Sequence, residues 1–375
     1  MAPERLSHDS GLGKGRLERA RPMRVAIEAT ALSLSSGGLQ RYTAELSVAL
    51  ARCFPEEEYV LVSDQPFRMP EAAPDNLRRG GGPHNFLERR WWLYGLPREL
   101  GRLGTDLVHG PDFAVPYLYQ RPSVMTLHDL SPWMDPHWHH AADRVKRRTP
   151  VLLKLGLATM IVTPSESVRA AAIDRFGLHP SRVVAVPEAA PSWMRPAPES
   201  PRPTAAPYFL FAGTLEPRKN LALLVEAWRE VRRHHAVDLV VAGRRRPDFA
   251  EPAPEPGLHW LGEVPDDALP ALYSGALAFV YPSHYEGFGL PVLEAMQCGA
   301  CVIASPAVAE AAGDAAVLVS GGPRLVEAML QAVERPEWRA EWRARSLRRA
   351  SEFSWERTAR LTHEVYKEAR RRFAT

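Results

Sequence analysis

YPSHYEGFGLPVLEAMQCGA, residues 281–300, is the stretch that decides how this chain folds. The apolar run LAFVYPS (277–283) leads into it and reads as a strand ending near Ser283. A loop with two glycines follows (Glu286, Gly287, Phe288, Gly289), and a helix then opens with Pro291 in its first turn, where a missing N–H costs nothing. Glycines let a backbone approach a ligand closely. A helix start presents free N–H groups and a partial positive charge, which suits a phosphate. Glu286 lies before the turn and Glu294 inside the helix. That spacing lets one carboxylate reach a sugar while the other accepts hydroxyl protons from a ribose. A single glutamate there would read as a surface residue on a plain strand-turn-helix, but two around Gly-Phe-Gly-Leu-Pro favour a site.

Outward from this unit the same alternation repeats. Upstream lie YFLFAG (208–213), a helix over 221–234, VDLVVAG (237–243), LHWLGE (258–263) and a helix over 266–276. Downstream lie CVIAS (301–305), AAVLV (315–319) and helices over 337–353 and 355–374. The first half has its own series. It runs RVAIEA (24–29), a helix with Leu39, Tyr42, Leu46, Ala49, Leu50 and Cys53 on one face, EYVLVS (58–63) and a helix near 88–103. DLVHG (106–110), SVMTLHDL (123–130), a helix near 140–158, MIVTPS (160–165), a helix near 166–176 and RVVAVP (182–187) complete it. Strands alternating with helices predict an α/β fold of two doubly wound parallel sheets. Between the halves, 187–207 holds seven prolines, which cannot donate to a sheet and disfavour helix interiors, so a linker is expected over 191–207. The expected division is an N-terminal domain over 23–190, a C-terminal domain over 208–353 and a last helix, 355–374, packing back on the first domain. Such sheets bind ligands at the carboxyl ends of their strands, which puts the site in the cleft between the domains.

Two further segments point to that cleft. FAGTLEPRKNLALLVEAW (211–228) ends a strand and presents Arg218 and Lys219 before an amphipathic helix, where two cations would neutralise a departing diphosphate. A solvated basic loop is the alternative. TLHDL (126–130) puts His128 at the carboxyl end of a buried strand, facing the same cleft, with Asp129 beside it.

Residues 281–300 resemble the E-x7-E signature of the family-4 retaining glycosyltransferases, and the likeness runs through most of the chain from Met23. What the resemblance implies is a GT-B fold: two Rossmann-like domains facing across a cleft, with a nucleoside-diphosphate sugar held mainly by the C-terminal one. By motif position Glu294 would bind the ribose. Glu286 would contact the donor sugar, and the loop of Gly287, Phe288, Gly289 and Leu290 would contact sugar and diphosphate. Arg218 and Lys219 match the family's phosphate-binding loop, and His128 matches its active-site histidine near the reacting carbon. Gly37 and Gly38, which alone could be a tight turn, would bring backbone N–H donors to the diphosphate. Backbone groups near Glu263 and Val264 would read the base. In this family front-face attack is usually preferred over a covalent intermediate, so Glu286 is not assigned as a nucleophile. No Asp-x-Asp motif occurs, so no metal or other cofactor is expected and Arg218 with Lys219 would take its electrostatic part. The pattern looks nearest to bacterial mannosyl- and rhamnosyltransferases of polysaccharide synthesis, which makes mannose from GDP-mannose the first donor and a glycan or lipid-linked hydroxyl the acceptor. A nucleotide-sugar epimerase or phosphorylase on the same fold, or a non-catalytic binder, are the rival readings.

Composition sets the outer limits. The chain has 375 residues, 45% hydrophobic and 24% charged, with a net charge of +3, so it is globular and lacks the basic field of a nucleic-acid binder. No apolar run approaches the roughly 20 residues that span a bilayer. The first 22 residues are polar and Arg-rich, read as a disordered extension rather than a signal peptide, and the expected location is cytoplasmic. Cys298 and Cys301 form a lone C-G-A-C pair, read as structural. His137, His139 and His140 near Asp135 lack the dispersed partners of a zinc site, and no metal is assigned. For Trp91 and Trp92, flanked by Arg89 and Arg90, two readings stay open. Together with Lys146, Arg147 and Arg148 they lie on an anionic membrane face, or they pack under the first sheet.

Overall fold

The computed structural model describes residues 21–34, 37–138, 142–197, 203–246, 249 and 253–374. The expected extension lies outside them up to residue 20, as do 198–202 of the proline-rich stretch and His139 and His140.

Among the described residues two sheets form, and every strand pair in both is parallel. The first contains β1 (Arg24–Glu28), β2 (Glu58–Val62), β3 (Leu77–Arg79), β4 (Leu107–Gly110), β5 (Ser123–Thr126), β6 (Met160–Thr163) and β7 (Val183–Ala185). Their order is β3-β2-β1-β4-β5-β6-β7. The second contains β8 (Tyr208–Ala212), β9 (Asp238–Ala242), β10 (Leu258–Gly262), β11 (Ala278–Tyr281), β12 (Val302–Ala304) and β13 (Val317–Leu318), in the order β10-β9-β8-β11-β12-β13. In both, the winding reverses beside the first strand. The loops after β1 and β4, and after β8 and β11, therefore part to opposite faces and leave a crevice at the carboxyl edge.

Helices cover the sheets: α1 (Gly38–Cys53), α2 (Leu96–Leu103), α3 (Asp143–Lys154) and α4 (Glu166–Phe176) in the first half. The second half has α5 (Leu221–Arg232), α6 (Leu269–Gly275), α7 (Leu290–Gln297), α8 (Ala309–Ala312), α9 (Gly322–Glu334) and α10 (Pro336–Ala350), and α11 (Trp355–Phe373) follows. On α1 the anticipated face is buried at Tyr42, Leu46, Ala49 and Leu50. The strand β3 and the helix α9 were not anticipated. β3 is a three-residue edge strand, Leu-Arg-Arg, with two exposed arginines, so it carries no apolar alternation to read.

The helix expected near 88–103 is broken. A π-helical turn over Trp91–Gly95 precedes α2, and Gly95 passes so close that a Cβ there would lie 2.2 Å from the Glu88 carbonyl oxygen. The turn points Trp91 inward: it is 3% exposed and its Nε1 donates to Glu28 Oε1 at 3.2 Å. Trp92 is half-buried, with the Arg148 guanidinium 5.0 Å from its ring. Packing under the first sheet is therefore the reading that holds for Trp91, and it is not available to a membrane. The proline-rich stretch is also not all tether. Met194 is fully buried in the core of the second half, and Gln297 Nε2 donates to the carbonyls of Pro191 and Met194, each at 2.7 Å.

Beyond α10 the chain crosses back. Ser354 caps α11 by accepting from the Arg357 N–H at 3.2 Å, and Trp355, Ala359, Val365, Tyr366 and Ala369 enter the same core as Tyr42 and Leu46. Leu361, an apolar residue of this helix, is exposed, because the buried stripe runs one helical face further round. A second tie between the halves comes from Glu310 on α8, whose carboxylate accepts the N–H groups of Glu166 and Ser167 at 2.7 and 3.1 Å. It thereby caps the start of α4 from the other domain.

Tyr366 also completes a buried polar chain. Its hydroxyl bonds His109 Nδ1 at 2.7 Å, and His109 Nε2 bonds Thr126 Oγ1 at 2.8 Å. Burial, with some help from the charge of His128, pushes His109 down to about 3, so it is a neutral imidazole with one donor and one acceptor to satisfy. Replacing Tyr366 with Phe should leave one ring nitrogen unpaired and cost about 1–3 kcal/mol. Urea unfolding of the two proteins, compared at equal m-value, checks it.

Candidate active site

The turn after β8 is built to bury two cations. Pro217–Lys219 form one 3₁₀ turn, and Asn220 takes a left-handed conformation (φ 54°) to start α5. The Arg218 carbonyl accepts the His284 N–H at 2.9 Å, which fixes this turn to the loop after β11. Within the joint, Lys219 Nζ donates to Glu286 Oε1 at 2.6 Å and to the Tyr281 hydroxyl. Arg218 Nη1 lies 3.2 Å from Glu286 Oε2 and donates to the Tyr285 carbonyl at 2.6 Å, while Nη2 donates to Glu216 Oε1 at 2.6 Å. Arg246 holds the other Glu216 oxygen at 2.8 Å. These cations are buried rather than displayed on a solvated loop, as the sequence alone would also have allowed.

The charges follow from this packing. Burial opposes the anion of Glu286, but Lys219 and Arg218 outweigh it and hold the carboxyl down at about 2. Lys219 is itself pushed down, because burial and the adjacent Arg218 outweigh Glu286 and Glu216. A lysine depressed in this way is short of negative charge, and an added phosphate would supply it.

Glu294 sits on α7 with its carboxylate 3% exposed. Tyr273 donates to its Oε2 at 3.1 Å, and Arg41, reaching over from the first turn of α1, donates to its Oε1. Arg41 Nη2 continues to Asp266 Oδ1 at 2.7 Å. Burial nevertheless lifts Glu294 above the ordinary carboxylate range. At the start of that helix, Gly37 (φ 121°) and Gly38 line the cleft, and among the described residues outside their own chain neighbours and helix turn no atom lies within 4 Å of where a Cβ would stand.

His128 has an acceptor at each ring nitrogen: Nε2 donates to the Pro111 carbonyl at 2.7 Å and Nδ1 to Glu188 Oε1 at 3.1 Å. A carbonyl only accepts, as does an ionised carboxylate, so this pair of partners stabilises the doubly protonated ring. Burial opposes the charge, but Glu188, Pro111 and Asp112 raise the pKa overall. Asp129 does not orient the ring; its Oδ1 takes the Ser131 N–H at 2.9 Å and the Ser131 hydroxyl at 2.6 Å.

A cleft of about 420 Å³ joins these groups. It is lined by Gly37, Gly38, His128, Arg218, Lys219, Glu263, Val264, Glu286, Gly287, Phe288, Gly289, Leu290 and Glu294, all the residues that the sequence motifs single out. Arg41, Asp112, Glu188 and Glu216 line it too and were not foreseen. Arg41 could have been found, since it lies one turn after Gly37 and so shares its side of α1. Glu188 is hidden among prolines and carries no local signal. Cys298 and Cys301 are free buried thiols, each pushed up to about 12, and neither is a cleft group.

Two family models cover the halves of this arrangement: Glycosyltransferase Family 4 over residues 36–191 and Glycosyl transferases group 1 over 206–335. O-antigen chain mannosyltransferase B of Escherichia coli is 35% identical over 385 residues, spanning 92% of this chain and 100% of that protein. The chain belongs to the group 1, family 4 glycosyltransferases. This glycosyltransferase is also 28% identical to the D-inositol 3-phosphate glycosyltransferase of Frankia alni, over 89% of the chain and 95% of that protein. Among solved structures, sucrose-phosphate synthase from Thermosynechococcus elongatus superposes with a TM-score of 0.71 at 19% identity, covering 92% of this chain and 98% of that one. Anabaena HepE in complex with UDP and glucose gives 0.69 at 16%, covering 92% and 99%. The fold of the glycosyltransferase is thus GT-B.

The charge on His128 sets a pH dependence. Its folded pKa is raised from the ordinary 6.5, so its contribution to stability is complete below 6.5 and is lost as pH rises through the folded value. Changing Glu188 to Gln should flatten that loss. Urea midpoints measured from about pH 6 to 9 for both proteins, with imidazole ¹⁵N shifts to read the protonation directly, check it.

Proposed function

We propose that this glycosyltransferase moves mannose from GDP-mannose to a hydroxyl of a glycan or lipid-linked glycan during surface-polysaccharide synthesis. In this reading the anomeric configuration is retained and no metal takes part. The observation that carries the reading is the Lys219–Glu286–Arg218 cluster, which lines the same cleft as the Gly37–Gly38 helix start. The name and full-length match of the Escherichia coli relative support mannose and an O-antigen-like product.

The ribose hydroxyls donate to Glu294, the diphosphate lies between Lys219, Arg218 and the Gly37–Gly38 turn, and the sugar rests against the Glu286–Leu290 loop and His128. Lys219 and Arg218 stabilise the diphosphate as the bond from the sugar's anomeric carbon to phosphate oxygen breaks. The acceptor oxygen bonds to that carbon on the face the diphosphate leaves, and its proton passes to a departing phosphate oxygen. Both oxygens of Glu286 face cations, which makes the carboxylate a poor nucleophile and favours this front-face route over a covalent intermediate. His128, already carrying both protons, serves as a positive donor beside the sugar rather than as a base.

Among the described residues no helix is long and apolar enough to cross a membrane. A cytoplasmic position beside an anionic membrane face belongs to the same proposal. It rests on the exposed Phe86 and Leu87 next to the exposed Arg89 and Arg90. Charge reversal of Arg89 and Arg90 should abolish flotation with phosphatidylglycerol vesicles; unchanged flotation refutes the contact.

Three measurements test the transfer itself. Thermal shifts with GDP, UDP, dTDP and ADP should be largest for GDP. Turnover of GDP-mannose with an acceptor glycan should survive EDTA and give a product whose anomeric coupling matches the donor; inversion, or loss of rate restored by a divalent ion, refutes the mechanism. Lys219→Ala should lower kcat by about 10²- to 10³-fold, as loss of one oxyanion donor does.

A further inference from the structure

Arg41 crosses from one domain into the nucleotide half of the other. It stands on the first turn of α1, its side chain is 14% exposed, and its two terminal nitrogens are held by Glu294 and Asp266. Its Nε is buried with no hydrogen-bond partner, and its guanidinium lies 6.0 Å from the Trp193 ring centroid. This is a costly way to keep an arginine: a donor goes unused, and the carboxylate it holds is the one that the proposed function gives to the ribose.

Two roles fit an arginine in that position, and they have opposite signs. As a competitor, it occupies Glu294 until a nucleotide evicts it, and removing it would tighten binding. As a ligand, it releases Glu294 and finds a better anion nearby, and removing it would weaken binding. The charges in the cleft favour the second. The cations of the loop after β8 are already engaged: Arg218 by Glu216 and Glu286, and Lys219 by Glu286. A diphosphate brings a negative charge on each phosphate, and a further cation at the cleft helps to balance them. Gly37 and Gly38, which the proposed function gives to the diphosphate, stand at the same helix start as Arg41 and line the same cleft, so the stem of the arginine lies beside the phosphate position of that reading. A planar guanidinium also presents a fork that matches two phosphate oxygens, which Nε can join.

We propose that Arg41 is a phosphate-binding residue of the donor site: when the nucleotide arrives it yields Glu294 to the ribose and turns to the diphosphate. The inference rests on the nucleotide-sugar reading above. It makes the donor site a joint product of both domains, complete only when α1 stands against α7.

The test is calorimetric titration of the full chain and of Arg41→Ala, Arg41→Gln and Arg41→Lys with GDP and with guanosine. Circular dichroism melting of each free variant establishes that it is folded. The expected result is a GDP affinity at least about tenfold weaker in the Ala and Gln variants, partly restored by Lys, with guanosine affinity unchanged or slightly higher. Tighter GDP binding in Arg41→Ala would make Arg41 a competitor and overturn the proposal, and so would equal losses for GDP and guanosine. Wild-type affinity for GDP in all three folded variants overturns it as well, while leaving the nucleotide-sugar reading intact. Failure of the wild-type chain to bind GDP or any of the other nucleoside diphosphates overturns both together.

Discussion

Glu286 is a carboxylate buried in a protein interior, and such a group must be paired or it will not stay charged. Taking a carboxylate out of water costs several kcal/mol even after relaxation, and removing one partner from a buried pair costs about 3–5 kcal/mol. Here the compensation comes from Lys219 and Arg218, which sit on the neighbouring loop of the same sheet edge. That requirement fixes the loop after β8 against the loop after β11. It also leaves Tyr285 and Gly287 in fixed positions facing the first domain.

Those positions are used. The Tyr285 hydroxyl accepts the Leu130 N–H at 3.1 Å, and Ser165 donates to the Gly287 carbonyl at 2.6 Å. A Cβ on Gly287 would stand 1.9 Å from the carbonyl oxygen of His128, so the loop meets the other domain at a separation only glycine permits. The ion cluster thus shapes more than its own surroundings. It positions the surface on which the two halves close, and His128, Glu294 and Arg41 meet around that surface. Two histidines of the first domain show the same economy in reverse: His109, between two hydroxyls, stays neutral, and the charged form of His128 is stabilised between a carboxylate and a carbonyl.

Much of this could be read from residue order alone, for a physical reason. Parallel strands buried on both faces are short apolar runs, and the helices between them are amphipathic, so both carry strong periodic signals. Strand-end motifs such as Glu286 to Glu294 mark a ligand edge because the topology puts strand ends there. What escaped notice depends on distance in space. Arg41 reaches Glu294 across 253 positions of sequence and Glu188 reaches His128 across 60, and neither has a local pattern. β3 escaped because an edge strand with solvent on its outer side needs no apolar alternation. The inward turn at Trp91 escaped because a π-helical turn breaks the period by which a helical face is recognised.

The return of α11 to the first sheet has a consequence for how the chain is made. The first domain leaves the ribosome before the second, but Trp355, Ala359, Val365, Tyr366 and Ala369 belong to its core and are translated after the second domain. Until they emerge, the groove over α1 is bare and His109 lacks its tyrosine. The second domain, whose core needs nothing beyond Phe353, has all its parts first. The usual order of maturation during synthesis, front to back, is therefore reversed. The half translated first is the half that must wait, and its unfinished apolar groove is the surface a nascent chain would have to shield.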